Sequence, residues 1–310
     1  MGEKRILIIG SANMDLSLNV FKVPSAGETV IDDGGVAYTP GGKGANAAVA
    51  FSRLGADVTF STRLGMDAHG SQLYSYYKDE GIDTSCIKVD RDFQTGFAVV
   101  MKEGNGQNRI ISYPGASAHI TTENMVEAFS SVPDALFLGF EIGFDAALTA
   151  ARIAASRKIP IFIDAAPASK SHALESLPYL EIFSPNETET YEYTGIMPSG
   201  ADSTLKAALA LYRRVNCKYL VIKQGERGAS VYDGKRFDMI VAERIDKVVD
   251  TTAAGDTFTA AMTLEYLRSE DIKAAVRYGA AAAAIAISRS GASSSVPTRE
   301  EVEQFIMQRR

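Results

Sequence analysis

The stretch VVDTTAAGDTFTAAM, residues 248–262, passes from a β-branched run through Ala-Ala-Gly-Asp into an Ala-rich run with helical character. Strand, small-residue turn, helix is the unit from which sheets covered by helices are built. A helix start offers N–H groups without acceptors of their own and the positive end of the helix dipole, and together these hold phosphate oxygens. Ala253, Ala254 and Gly255 are small enough to let such amides approach a ligand closely. Asp256 is then out of place, because a carboxylate in an anion-receiving turn repels a phosphate. It earns its position if it accepts the proton of a hydroxyl that attacks the phosphorus. The plain alternative is an N-cap, a favoured role for aspartate.

The same rhythm repeats outward from this stretch. Short apolar runs recur at RILIIG (5–10), DVTFST (57–62), ALFLGF (135–140), IPIFID (159–164), EIFSP (181–185) and YLVIK (219–223). Between them lie longer segments with helical spacing, such as NAAVAFSRLGA (46–56), AALTAARIAASRK (146–158) and STLKAALALYRRV (203–215). Apolar strands alternating with helices predict an α/β fold with a mainly parallel central sheet covered on both faces. Ligands in such sheets bind beyond the carboxyl ends of the strands. Two segments break the pattern. Residues 14–39 are turn-rich and partly alternating, and 95–113 read as a hairpin around Gly104-Asn105-Gly106. Both are β pieces without crossover helices, either an edge decoration or a small β lid over the strand ends. With Gly41-Gly42 as a natural hinge, one domain over 1–310 is expected, its lid drawn from about 12–42 and 94–115.

Composition narrows the classes. The 310 residues are 46% hydrophobic and 23% charged with a net charge of −6, so no basic footprint points to nucleic acid or an anionic membrane. Cys86 and Cys217 are too few for a disulfide framework and form no CxxC pair. The longest small-apolar run, near Ala280–Ile287, is far too short to span a bilayer. Met1 leads straight into a strand-like segment, and a soluble cytoplasmic chain is expected.

Further turns carry polar residues with two readings each. PGGKGANAAVA (40–50) is no Walker A loop, since Ala37 and Gly44 stand where that pattern needs Gly and Ser or Thr. It would still present amides, an ammonium and Asn46 to a polyhydroxyl ligand, or else be a flexible loop with a solvated lysine. GSANMD (10–15) lacks the glycines of a dinucleotide fingerprint but offers Asn13 and Asp15 to vicinal hydroxyls. SPNETE (184–189) has the spacing of a capping box, with organisation of a hydrated Mg²⁺ by Asn186 and Glu189 as the functional alternative. KQGERG (223–228) is a Gly-bracketed turn after a strand, either packed against a nucleotide or a plain turn, and Glu141 is an acid at the end of an apolar strand, either exposed at its tip or hydrogen-bonded to a substrate. His69, His119 and His172 have no metal-ligand spacing and are assigned no chemistry.

Taken in order, these pieces resemble the ribokinase-like (PfkB-type) carbohydrate kinases from end to end. The resemblance runs through GSANMD, GETV (27–30), PGGKGAN, GMDAHG (65–70), TGFAV (95–99), SPNETE, KQGERGA, DTTAAGDTF (250–258) and AAAAIAISRSGASSSVP (281–297). It implies a ribokinase-like three-layer α/β/α fold with a small β-sheet lid that commonly pairs with a second lid in a homodimer. It implies ATP-dependent phosphorylation of a small sugar, D-ribose at O5 first, with Asp256 as catalytic base. Asn13, Asp15, Gly42, Lys43, Asn46 and Glu141, with Asp256, would bind the sugar. Ala253, Ala254 and Gly255 would form the anion hole. Asn186, Lys223, Gly225, Gly228 and Gly255 fall where such enzymes bind ATP, and Glu189 where they organise Mg²⁺ through water. Asp250, Thr252, Ala286, Arg289, Gly291 and Ser295 match the positions that hold a monovalent cation, K⁺. Lys223 stands where Thr is frequent in these kinases, and Ala280 where many carry His or Asn, so a nucleotide contact is lost there. Three rivals are another small sugar or a nucleoside as acceptor, a nicotinamide dehydrogenase, and a non-catalytic sugar-binding protein. The missing GxGxxG after the first strand argues against the dehydrogenase, and retention of Asp256 and Lys43 against the binding protein.

Overall fold

The computed structural model describes residues 3–31, 34–103 and 108–309. In chain order the first strands are β1 (Arg5–Ile9), β2 (Asn13–Val20), β3 (Val36–Gly41), β4 (Asp57–Ser61), β5 (Arg63–Gly65), β6 (Lys88–Asp90), β7 (Gly96–Glu103) and β8 (Asn108–Tyr113). They are followed by β9 (Ala135–Leu138), β10 (Ile161–Asp164), β11 (Leu180–Ser184), β12 (Cys217–Lys223), β13 (Ala229–Tyr232) and β14 (Phe237–Ile240). The helices are α1 (Lys43–Arg53), α2 (Ala68–Asp79), α3 (Thr122–Ala128), α4 (Phe144–Ser156), α5 (Glu187–Thr194), α6 (Ala201–Tyr212), α7 (Ala254–Ser269), α8 (Ile272–Ile287) and α9 (Arg299–Met307).

The central sheet has the order β14-β13-β12-β11-β10-β9-β1-β4. Its pairings from β4 to β12 are parallel and only β12–β13 and β13–β14 are antiparallel, so the sheet is mainly parallel, as the alternation predicts. Strand alternation splits the apolar residues between two cores. Ile6 and Ile8 of β1 and Phe137 of β9 face one layer with α1, α2, α7, α8 and α9; Leu7, Ile9, Leu136 and Leu138 face the other with α3, α4, α5 and α6. Burial on both faces explains why these strands are uninterrupted apolar runs. Each large buried side chain such as Phe51 or Phe162 contributes about 1.5–3 kcal/mol of burial free energy.

A separate four-stranded sheet has the order β3-β2-β7-β8. Here β2 runs antiparallel to β3 and parallel to β7, and one row of the register holds Asn13 between Gly41 and Gly96. Its strands come from the two segments that lack crossover helices. The antiparallel β7–β8 pair extends from Phe97↔Tyr113 to Lys102↔Asn108; the predicted Gly104-Asn105-Gly106 turn lies outside the described residues. Among the described part of 14–39, strand is confined to β2 and β3.

Two local readings need correction. No strand precedes the Ala-Ala-Gly-Asp turn: 241–253 is irregular, and Val248 and Val249 are exposed. The segment is moored to the α8 end, where the Val249 and Asp250 amides donate to the Ile287 carbonyl at 2.8 and 3.3 Å. The helix also begins earlier than the sequence suggests. Ala253, with φ 57°, is the N-cap of α7, which places Asp256 inside the first turn rather than in the capping position.

Candidate active site

The carboxyl ends of β1, β9, β10, β11 and β12 converge beside the N-termini of α1 and α7. β1 is the switch point of the sheet, with β4 added on one side and β9 on the other. That is where a doubly wound sheet opens a crevice. The chain leaves β1 through Gly10-Ser11 and re-enters α1 through Gly42, whose φ of 91° suits only glycine. Gly44 lets α1 start against the end of β1, since a Cβ there would lie 2.6 Å from the Ser11 nitrogen and 2.7 Å from the Gly10 Cα.

Asp256 is buried, and both its oxygens are held from α1. Lys43 Nζ donates to Oδ1 at 3.1 Å and Asn46 Nδ2 to Oδ2 at 2.8 Å. An aspartate engaged this way is not serving as a cap. Ala253 offers no side-chain cap either; the Ala254 amide donates to the Thr251 carbonyl at 3.3 Å, and the Gly255 and Asp256 amides keep their donor capacity toward a ligand. Glu141 accepts from the Lys43 backbone amide at 2.8 Å and from the Ser11 hydroxyl, which ties the loop after β9 to the α1 start. Asp15 lies across on β2, packed against Gly41. Burial, and then the charges of Glu141 and Asp256, push its carboxyl up to about 7. Asp256 instead holds the Lys43 ammonium well above its ordinary value, against the opposing effect of burial. Among the described residues, Asn13 Oδ1, Asp15 Oδ1 and Asn46 Oδ1 are buried without a hydrogen-bond partner. Each such acceptor costs stability unless a donor reaches it. A polyhydroxyl compound supplies donors of that kind.

On the far side of α7, Asn186 and Glu189 close a reciprocal capping box at the start of α5. The Asn186 amide donates to Glu189 Oε2 at 2.7 Å, and the Glu189 amide donates back to Asn186 Oδ1 at 2.8 Å. Burial raises the Glu189 carboxyl above its usual range. Lys223, ending β12, pairs with Asp164 at the end of β10 at 2.5 Å. Gly225 and Gly228 both adopt positive φ, 52° and 92°, in the turn that follows. Asp250 accepts from the Thr252 amide and hydroxyl at 2.9 and 2.6 Å and from the Gly291 amide at 3.3 Å, joining the two turns that carry the expected cation positions. Ser295 is buried, its hydroxyl on the Ala292 carbonyl. The Arg289 side chain turns away to Glu301, so only its carbonyl is left for those turns. Asp250, Thr252 and Gly291 share with Asp15 and Thr39 the lining of a cavity of about 320 Å³ beneath the small sheet. A larger cavity of about 460 Å³, between 245–249, α8 and α9, contains none of Lys43, Asp164 or Asp256 in its lining.

A family model described as pfkB family carbohydrate kinase matches residues 3–299. The chain belongs to that family. It is 33% identical over 307 residues to the ribokinase of Haemophilus influenzae, covering 98% of this chain and 99% of that one. It is 34% identical over 310 residues to the ribokinase of Bacillus subtilis, covering 98% and 99%. The structure of Arabidopsis thaliana ribokinase complexed with ribose and ATP superposes with a TM-score of 0.88 at 29% identity over 99% of both chains. The ribokinase-like fold expected from the motifs is the fold observed.

Sequence reading overlooked three side chains in this site. Ser11, within GSANMD, braces Glu141 and Gly44. Asp164 was legible as a lone carboxylate closing the apolar run IPIFID, and Thr259 as a hydroxyl one turn into α7.

Proposed function

We propose that this protein is an ATP-dependent kinase that phosphorylates D-ribose at O5, with Asp256 as general base. The observation that carries the reading is the double hold on Asp256 by Lys43 and Asn46, beside a helix start whose Gly255 and Asp256 amides point to a ligand and opposite three unpartnered acceptors. Asn13, Asp15, Asn46 and Glu141, with the close-packed Gly42 and Lys43 backbone, bind the sugar hydroxyls. The primary hydroxyl replaces one donor on Asp256 and passes its proton to the carboxylate as its oxygen bonds the terminal phosphorus, while the bond from that phosphorus to the bridging oxygen breaks and ADP leaves. Amides of Gly255 and Asp256, preset by the left-handed Ala253, stabilise charge gathering on the phosphoryl oxygens.

Asn186, Lys223, Gly225, Gly228 and Gly255 line the nucleotide side of this reading. Buried Glu189, fixed by its capping box, suits a hydrated Mg²⁺ that keeps its waters, and the ion would screen charge on the phosphates. An all-oxygen set from Asp250, Thr252 and Ser295 and the carbonyls of Ala286, Arg289 and Gly291 suits K⁺, which would brace the turn feeding α7. Exposed Val36 and Tyr38 on β3 and Ile110, Ile111 and Tyr113 on β8 give the small sheet apolar edges suited to a homodimer. Among the described residues no helix is long and apolar enough to cross a membrane; in this reading the enzyme is cytoplasmic.

The test is ADP release measured over pentoses, hexoses and nucleosides, with and without K⁺. Ribose is expected to give the highest kcat/KM. Asp256→Asn should lower kcat by about 10²–10⁴-fold, the usual worth of a positioned base, with folding intact. Wild-type turnover in that variant would remove the base assignment, and preference for a nucleoside would remove the sugar assignment.

A further inference from the structure

A second cation, Lys223, stands beside the α7 turn under tight restraint. Its ammonium donates to Asp164 Oδ2 at 2.5 Å and to Thr259 Oγ1 at 3.1 Å, and the Thr259 hydroxyl also meets Asp164 Oδ2 at 2.9 Å. The three side chains come from β12, β10 and α7, so the cluster fixes the first turns of α7 against the ends of two strands. Both charged groups are almost wholly buried, with side-chain exposures of 12% for Lys223 and 4% for Asp164. The ammonium points at the turn itself: a methyl group placed on Gly255 would approach Nζ to 4.0 Å and meet nothing nearer. Asp164 Oδ1 is buried without a partner and borders the same small cavity as Lys43 and Asp256.

A buried ion pair adds little stability over a well-packed apolar pair. Structural need alone therefore gives a weak account of this one, set at the ligand-binding ends of the strands. A local charge balance gives a stronger account. The charges of Asp256, Asp164, Glu141 and Glu189 all bear on the Lys43 ammonium, and Lys43 is already engaged with Asp256. An anion entering beside these carboxylates needs a further cation, and Lys223 is the buried one next to Gly255.

We infer that Lys223 contacts the transferring phosphoryl group, and that Asp164 with Thr259 is a positioning pair that parks its ammonium beside Gly255 until the nucleotide arrives. Lysine suits the task, being a compact charge on a flexible stem that can swing from a carboxylate to a phosphate oxygen. This rests on the kinase reading above. It adds two residues, Asp164 and Thr259, that act through Lys223 and touch neither reactant.

The experiment pairs calorimetric ATP binding, with no sugar present, and steady-state kinetics on Lys223→Met, Lys223→Arg, Asp164→Asn and the uncharged double variant Asp164→Asn/Lys223→Met. Lys223→Met is expected to weaken ATP binding and lower kcat by about tenfold to a hundredfold, the scale of one charge-assisted hydrogen bond, with ribose affinity within about twofold of wild type. Lys223→Arg should recover part of both losses. Asp164→Asn should lower kcat by a smaller factor, and the double variant should remain as slow as Lys223→Met. Recovery of wild-type ATP affinity and kcat in the double variant would reduce the pair to mutual charge compensation and overturn the inference. So would unchanged ATP affinity in Lys223→Met. The binding arm decides the role of Lys223 even if the wild-type chain phosphorylates no sugar, an outcome that would fall on the kinase reading instead.

Discussion

Burial and neighbouring charge bring the Asp15 carboxyl into the pH range near neutrality. Its ordinary value of 3.8 is pushed up to about 7, first by burial and then by Glu141 and Asp256. The folded value exceeds the unfolded one, so the folded state binds the extra proton and ionisation works against folding. The destabilisation is absent near pH 4, grows as pH rises, and is complete above about 7. A sugar hydroxyl donating to Asp15 favours the ionised form, so it draws the titration back down. Ribose affinity should therefore rise between pH 6 and pH 8, within the window set by that raised value. Asp15→Asn should flatten this dependence and weaken ribose binding by about tenfold to a hundredfold, the cost of losing a charged acceptor. Calorimetric titrations at the two pH values check it. Equal pH dependence in both proteins would show that Asp15 does not face the sugar as a carboxylate.

At the scale of elements, the site depends on how closely α1 approaches β1. Two effects oppose each other at Gly44, inside the first turn of α1. Replacing a helical glycine by alanine gains about 1 kcal/mol of helix propensity. The added methyl, however, would fall 2.6 Å from the Ser11 nitrogen and 2.7 Å from Gly10, main-chain atoms with no rotamer to yield. Overpacking of that kind costs about 1–3 kcal/mol, so the clash should win. Gly44→Ala is expected to lower the denaturation midpoint and, by moving Lys43 and Ser11 away from Glu141, to raise the KM for sugar more than it lowers kcat. A more stable variant with unchanged KM would show that the close approach is not needed. The same comparison explains what was readable beforehand. β1, β9 and β10 were legible because both faces are buried and, Arg5 and Asp164 at two of their ends apart, their residues are apolar, and α1 and α5 because a Gly-rich turn and an Asn-x-x-Glu box announce them. The start of α7 was misplaced because its cap is Ala253, whose left-handed backbone has no signature in its side chain. Val248 and Val249 read as strand for the converse reason, since β-branched residues keep their propensity even where no neighbouring strand accepts them. Asp164 escaped notice because its role depends on Lys223, 59 positions away, and such a partnership appears only once β10, β11 and β12 are laid side by side.

For the whole molecule, two sheets divide the work. The central sheet brings Glu141, Asp164, Asn186 and Lys223 to one edge, while the small sheet carries Asn13 and Asp15 on β2, which follows β1 after a three-residue connection. A ligand held by both sheets should therefore stabilise the fold as one unit and protect the small sheet most. With ribose at a hundred times its Kd, linkage gives about 2.7 kcal/mol of added stability. For a chain of this size that corresponds to a rise in Tm of about 5 °C. The rise should shrink to between about half and a sixth of that for Asp15→Asn at the same ribose concentration, because a site weakened about tenfold to a hundredfold meets ribose at only about ten times to once its Kd. Hydrogen exchange gives the spatial half of the test. Amides of β2, β3 and β7 should slow on adding ribose, although their own hydrogen bonds already exist, because opening the small sheet would then also release the sugar. Stabilisation with slower exchange confined to the central sheet would place the sugar away from β2 and break the link between the two sheets on which the reading of Asn13 and Asp15 depends.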